Sequence, residues 1–130
     1  MRVVTWNINY PRKERVLRRG KLLRKLEPDL ILLQEANPGS AEALRLAAGA
    51  DWLISVSDLI RHPPQGRAVA NPRGVAIAGR GQRPRLAWLQ PDVHVPERIL
   101  LVEMTVAGRE LTAVSYHAPD GESRGIEKAR

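Results

Sequence analysis

Residues 29–35 read DLILLQE, and this heptapeptide constrains the fold more than any other stretch. Four consecutive aliphatics, Leu30, Ile31, Leu32 and Leu33, are apolar on whichever face alternate side chains fall. Such a run predicts a strand buried from both sides, under helices or a second sheet. It ends abruptly in Gln34 and Glu35. A carboxylate at the end of a buried strand needs a partner, because a desolvated charge is costly. A bound cation is one such partner, and strand ends are where sites sit in open α/β sheets. The plainer alternative is that Glu35 emerges into solvent at the rim.

The preceding residues turn this strand into a unit. Residues 2–6 form a strand candidate, since Val3, Val4 and Thr5 are β-branched. It stops at Asn7-Ile8-Asn9-Tyr10-Pro11. Residues 12–27 then read as a helix in which Val16, Leu22, Leu23 and Leu26 fall at helical spacing. Gly20 weakens that helix by about 1 kcal/mol relative to Ala. The other face carries Arg12, Lys13, Arg15, Arg18, Arg19, Lys21, Arg24 and Lys25. A solvated outer surface is its simplest reading, ahead of a polyanion patch. Pro28 closes the helix. A β-α-β unit implies a right-handed crossover and parallel pairing, so Asn7 and Glu35 should end at the same edge.

Further along, Asn37-Pro38-Gly39-Ser40 predicts a turn, with Ser40 as N-cap of a helix over 41–48. Strands are expected over 52–56, 74–78 and 86–89. Residues 61–73 and 79–84 read as basic loops. Residues 99–106 and 111–116 form the clearest hairpin, turned by Ala107-Gly108-Arg109, where Gly can take a positive φ. Both strands are expected in an antiparallel part of the same sheet. The second ends in Tyr116-His117-Ala118-Pro119-Asp120-Gly121, another polar strand end. Residues 122–130 read as the start of a helix. There is no internal repeat.

Composition narrows the class. A chain of 130 residues is the size of one domain, and 43% hydrophobic content fits a globular protein. With no Phe and 4% aromatic residues, the core must come from Val, Ile, Leu and Ala. The absence of Cys excludes disulfides, thiolate metal sites and a Cys nucleophile. The start of the chain has too short an apolar run for a signal peptide, and no segment matches a membrane span. A cytoplasmic protein is therefore expected. The net charge is +7, with 21 basic against 14 acidic residues, and the pI is about 10.8. Arg outnumbers Lys, which favours bidentate contacts to phosphate, and a positive balance attracts polyanions. Arg spread over a solvated surface explains the same numbers equally well.

Three strand ends thus carry polar groups: Asn7 with Asn9, Glu35, and His117. Glu is a hard oxygen ligand suited to Mg2+, which is held by one or two carboxylates plus substrate phosphates. Asn can ligate a metal or donate to a phosphate oxygen, and His is a general acid or base near neutral pH. Together they describe a metal-assisted phosphoester site. Singly, Asn7 is also a turn residue and His117 a surface histidine.

The order Trp6-Asn7-Ile8-Asn9, Pro28-Asp29 leading into Gln34-Glu35, Gly74-Val75-Ala76-Ile77 and Tyr116-His117-Ala118-Pro119 resembles the endonuclease/exonuclease/phosphatase superfamily. Its members include pancreatic deoxyribonuclease, abasic-site endonucleases, inositol-polyphosphate phosphatases and neutral sphingomyelinases. The resemblance covers residues 2–121. It implies an α/β fold, half of a four-layer α/β-β/α sandwich with a mixed sheet flanked by helices. It also implies a nuclease-like phosphoesterase dependent on Mg2+ or Mn2+. Asn7 matches the Asn that borders metal and phosphate, with catalytic and substrate-binding roles. Glu35 matches the metal-binding Glu. His117 matches the strand-end His or Tyr that contacts the scissile phosphate, again catalytic and substrate-binding. Asn9 falls where some members place a metal-supporting Asp.

Family members also have a second half with an Asp-x-Asn motif, and they end in an Asp-His pair that helps activate water. Neither motif occurs here; Ser57-Asp58-Leu59 lacks the His and lies far too early. The expectation is one domain over 1–130, truncated before its C-terminal half. Its partners would be a phosphoester substrate, nucleic acid among the candidates, and a second copy held through an uncovered apolar sheet face. The alternative is a catalytically inactive half-domain that binds polyanions or a partner chain.

Overall fold

The computed structural model describes residues 1–9, 12–59, 74–89 and 98–118. In chain order the elements are β1 (Val3–Asn7), α1 (Lys13–Leu26), β2 (Leu30–Ala36), α2 (Pro38–Ala48) and β3 (Trp52–Ser55). They continue as α3 (Val56–Leu59), β4 (Gly74–Gly79), β5 (Leu86–Leu89), β6 (Ile99–Val106) and β7 (Arg109–Tyr116). The aliphatic run is β2, an inner strand. β1 pairs with it in parallel, from Val3 opposite Leu30 to Asn7 opposite Gln34. β4 runs antiparallel on its other side, and β3 completes a mixed sheet of order β1-β2-β4-β3.

Both faces of β2 are covered, for different reasons. Ile31 and Leu33 pack with Val16, Leu23, Ala41 and Leu44 beneath the helices. Leu30 and Leu32 pack with Ile54, Ile77, Leu100 and Val102 between two sheets. Burying each aliphatic side chain is worth about 1.5–3 kcal/mol, so this strand alone favours both layers.

The hairpin departs from expectation. β6 and β7 lie with β5 in a separate three-stranded antiparallel sheet of order β5-β6-β7, stacked on the inner face of the first. Extending the first sheet would have left Leu30 and Leu32 in water, whereas stacking buries them against Leu100 and Val102. Its turn is Ala107-Gly108, with φ of 50° and 76°, the two positive values that a tight two-residue hairpin requires.

Three local readings also change. The expected N-cap Ser40 is the third residue of α2: Asn37 caps the helix, its Oδ1 accepting from Ser40 N at 2.8 Å. Ser40 Oγ in turn accepts from Asn37 N at 3.1 Å, which closes a capping box. The strand expected to reach Val56 ends at Ser55, because Asp58 Oδ2 accepts from Ser55 N at 2.7 Å and starts the short α3. On α1 only the Val16, Gly20, Leu23 stripe is buried; Leu22 and Leu26 face solvent. The basic residues surround that exposed side as expected, except Arg19. Its guanidinium lies 5.2 Å from the Trp6 ring centroid, and its Nη1 donates to Ile8 O at 2.9 Å.

Gly20 is no weak point, because a Cβ there would overlap the Ala47 methyl on α2. The bare glycine lets the two helices approach closely. No helix among the described residues is long and apolar enough to cross a membrane. The basic loop expected over 61–73, the helix over 122–130 and Pro119 lie outside the described residues.

Gly20→Ala should therefore lower the melting temperature, although Ala is the better helix former by about 1 kcal/mol. Overpacking of this kind costs about 1–3 kcal/mol. The double variant Gly20→Ala/Ala47→Gly should recover most of the loss in a thermal denaturation series, because it returns the missing space.

Candidate functional site

The site forms where the C-terminal ends of β1 and β2 meet the end of β7. β1 ends at Asn7, and the wholly buried Ile8 pins the next turn by donating its N–H to Gln34 O at 3.0 Å. Asn9 follows with φ of 51°, a left-handed conformation that Asn tolerates better than most residues. Its N–H is accepted by Asn7 Oδ1 at 3.0 Å. That contact orients the Asn7 amide, leaving Nδ2 to donate to Glu35 Oε1 at 3.0 Å.

Glu35 is reached through a break in β2. The β2–β4 register slips between Leu33 and Ala36, and Glu35 has φ of 50°. A residue other than Gly in this region carries about 1–2 kcal/mol of strain. Such bulges re-aim a side chain. The expected strand therefore continues past Gln34, but as a bulge and not as regular alternation.

His117 comes from the second sheet. It follows β7, and its N–H donates to Arg98 O at 2.9 Å, which prolongs the β6–β7 pairing by one residue. Its ring Nε2 lies 3.2 Å from Glu35 Oε1. Glu35 and His117 are both mostly buried, with side chains 22% and 23% exposed. Asn7 and Asn9 are exposed on the rim.

Asn7, Glu35 and His117, picked out from three separate strand ends, thus share one carboxylate oxygen. Asn9 joins them through its backbone. Among the described residues no cluster of three or more His, Asp, Glu or Cys side chains is arranged to hold a metal. Glu35 is the one carboxylate in the group. A single carboxylate still fits Mg2+, which keeps several waters and takes other ligands from substrate phosphate.

Three residues that the sequence reading did not assign to the site support it. Gln34, nearly buried, donates from Nε2 to Thr5 Oγ1 at 3.1 Å and to Ser115 Oγ at 3.4 Å. Ser115, wholly buried, donates to Leu33 O at 3.0 Å. Arg98, opposite His117, has a buried Nη1 with no hydrogen-bond partner among the described residues. Their signal in the sequence is phase: Ser115 alternates with the apolar Leu111 and Ala113, and Arg98 with Leu100 and Val102. Polar residues on an apolar face need partners.

Helices over one face of a mixed sheet, a second sheet stacked on the other, and polar strand ends converging at one rim define an α/β sandwich with a site at its edge. A family model described as the Endonuclease/Exonuclease/phosphatase family matches residues 4–106, and the chain belongs to that family. No curated protein matches it. Solved structures do. Beta toxin from Staphylococcus aureus, a mutant with bound magnesium ions, superposes with a TM-score of 0.66 at 15% identity, covering 94% of this chain and 50% of that one. An endonuclease/exonuclease/phosphatase family protein from Leptotrichia buccalis gives 0.65 at 16% identity, covering 98% and 58%. Humanized D. rerio TDP2 gives 0.58 at 19% identity, covering 86% and 47%. The chain spans about half the length of these structures, and its fold is half of their four-layer α/β-β/α sandwich.

Because Glu35 sits at positive φ, the usual order of helix- and strand-forming residues should invert there. Glu35→Gly and Glu35→Ala both remove the carboxylate, yet the Gly variant should be the more stable by about 1 kcal/mol. Urea unfolding of the pair measures the difference. A more stable Ala variant would show that the bulge relaxes without strain.

Proposed function

We propose that the chain is the metal- and phosphate-binding half of a divalent-metal-dependent phosphodiesterase. The observation that carries this reading is the sharing of Glu35 Oε1 by Asn7 Nδ2 and His117 Nε2. Both contacts fall on one oxygen, so the second carboxylate oxygen would be available to a cation. Glu35 would hold Mg2+ or Mn2+, with Asn9 on the same rim supplying an amide oxygen. The bound ion would stabilise negative charge on the phosphate.

The remaining roles follow from hydrogen-bond capacity. Asn7 Nδ2 has a second hydrogen, which would orient a phosphate oxygen. His117 would contact a phosphate oxygen or supply a proton to the leaving group once the bound ion draws the carboxylate away. Arg98 brings a guanidinium to the same end of the second sheet, and its orphaned Nη1 suits an anionic partner. A net charge of +7 favours a polyanionic substrate such as nucleic acid. Among the described residues no further carboxylate or imidazole is placed beside Glu35 to activate water. The family assigns that task to the Asp-x-Asn and Asp-His segments, which this sequence lacks. That observation favours a second reading, a half-domain that binds without turning over.

Calorimetry should show weak Mg2+ binding that Glu35→Gln abolishes; equal affinity in both proteins would remove Glu35 from the site. In a phosphodiester assay the 130-residue chain should hydrolyse bis-p-nitrophenyl phosphate no faster than Mg2+ alone. A longer chain carrying both motifs should gain Mg2+-dependent hydrolysis, reduced at least ~10²-fold by His117→Ala. Robust cleavage by the chain itself would require a water-activating group among its own residues.

A further inference from the structure

Regular alternation along β2 would turn residue 35 away from the site. Leu30 and Leu32 face the second sheet, while Ile31 and Leu33 face the helices. Gln34 follows the first pair and reaches Ser115. Residue 35 would then lie under the helices, away from His117. The bulge reverses this, and a bulge leaves backbone groups to satisfy.

One contact at the edge of the bulge comes from the second sheet. Gln34 O points towards β1, where Ile8 N–H occupies it. Successive carbonyls in a strand point to opposite edges. Leu33 O therefore points towards β4, at the step where the β2–β4 register slips. There Leu33 is paired with Ala76, the last regular pair before the slip, and its carbonyl also accepts from Ser115 Oγ at 3.0 Å, reaching across from the second sheet. Ser115 Oγ also accepts from Gln34 Nε2 at 3.4 Å. A buried hydroxyl or amide left unpaired costs about 1–3 kcal/mol, so Ser115 ties the two residues of β2 that lead into the bulge to β7.

We propose that Ser115 is a positioning residue: with Gln34 it clamps the β2 bulge and so holds Glu35 against His117. Ser115 stands two residues before His117 on the same face of β7. One strand thus supplies both the clamp and the imidazole, and the spacing between them sets where the carboxylate must sit. A positioning role matters for function only if the metal-site reading holds, but the clamp itself can be tested without turnover.

The test compares Ser115→Ala with Met104→Ala, a core truncation at the other end of the second sheet, where Met104 pairs with Leu111. The readout is the His117 ring Nε2–H signal in 1H–15N spectra, with Mg2+ affinity by calorimetry and stability by urea unfolding. In the native chain the ring N–H should be visible and protected by Glu35. Ser115→Ala should lose that signal and weaken Mg2+ binding by ~10-fold or more, as loss of a residue supporting a ligand does. Met104→Ala should keep both while losing stability. Should Ser115→Ala fail to fold, Ser115→Cys has nearly the same volume with a weak donor and should show the same two losses. Retention of the ring signal and of Mg2+ affinity in either folded Ser115 variant would overturn the clamp. If the native chain binds no Mg2+, the metal-site reading fails, and the ring signal alone still decides on Ser115.

Discussion

The structure depends on the removal of β2 from water on both faces. A strand with four aliphatics in succession cannot leave either side solvated without exposing two of them. Helices α1 and α2 cover Ile31 and Leu33, and the β5-β6-β7 sheet covers Leu30 and Leu32. The stacking of the second sheet is therefore a consequence of β2's composition. It is also what carries His117 to the first sheet's edge, since β7 passes over β2 on its way there.

The same strand shows how a buried element ends in a charged one. Gln34 is still in the interior, where its amide is held by Thr5, Leu32 O and Ser115. One residue later Glu35 takes φ of 50° and emerges at the rim. The bulge changes the side-chain phase in a single step, so apolar packing and a carboxylate site lie within one residue of each other. Strain at such a position persists when surrounding contacts determine the conformation. Here those contacts come from the ends of two strands, β1 and β7: Ile8 on one side, Ser115 on the other, and Asn7 and His117 at the carboxylate.

Charge is distributed separately from this site. Most cations of α1 are exposed on the outer helical surface. Arg19 differs in that it lies over Trp6 and donates to Ile8 O. It thereby ties the helix to the turn between Asn7 and Asn9, and links the crossover to the site edge. Close helix contact at Gly20 and Ala47 completes the helical layer.

Much of this was legible in the order of residues. Aliphatic continuity located β2, the helical spacing of Val16 and Leu23 located the crossover, and parallel pairing placed Asn7 beside Glu35. These are local or nearest-neighbour properties, set by side-chain periodicity and by the handedness of the β-α-β link. The sequence did not reveal that the hairpin stacks instead of extending the sheet. Either arrangement satisfies its hydrogen bonds, and only the apolar area left on β2 distinguishes them. Gly20 likewise looked like a weak helix position until Ala47 was found against it. The role of Ser115 was hidden for the same reason. A serine's worth depends on which carbonyl it meets, and Leu33 O is 82 residues away along the chain. By itself the sequence determined which residues form the strands and which polar groups end them. The tertiary structure decided that three of those groups share one carboxylate oxygen, because that required a bulge held from the opposite sheet.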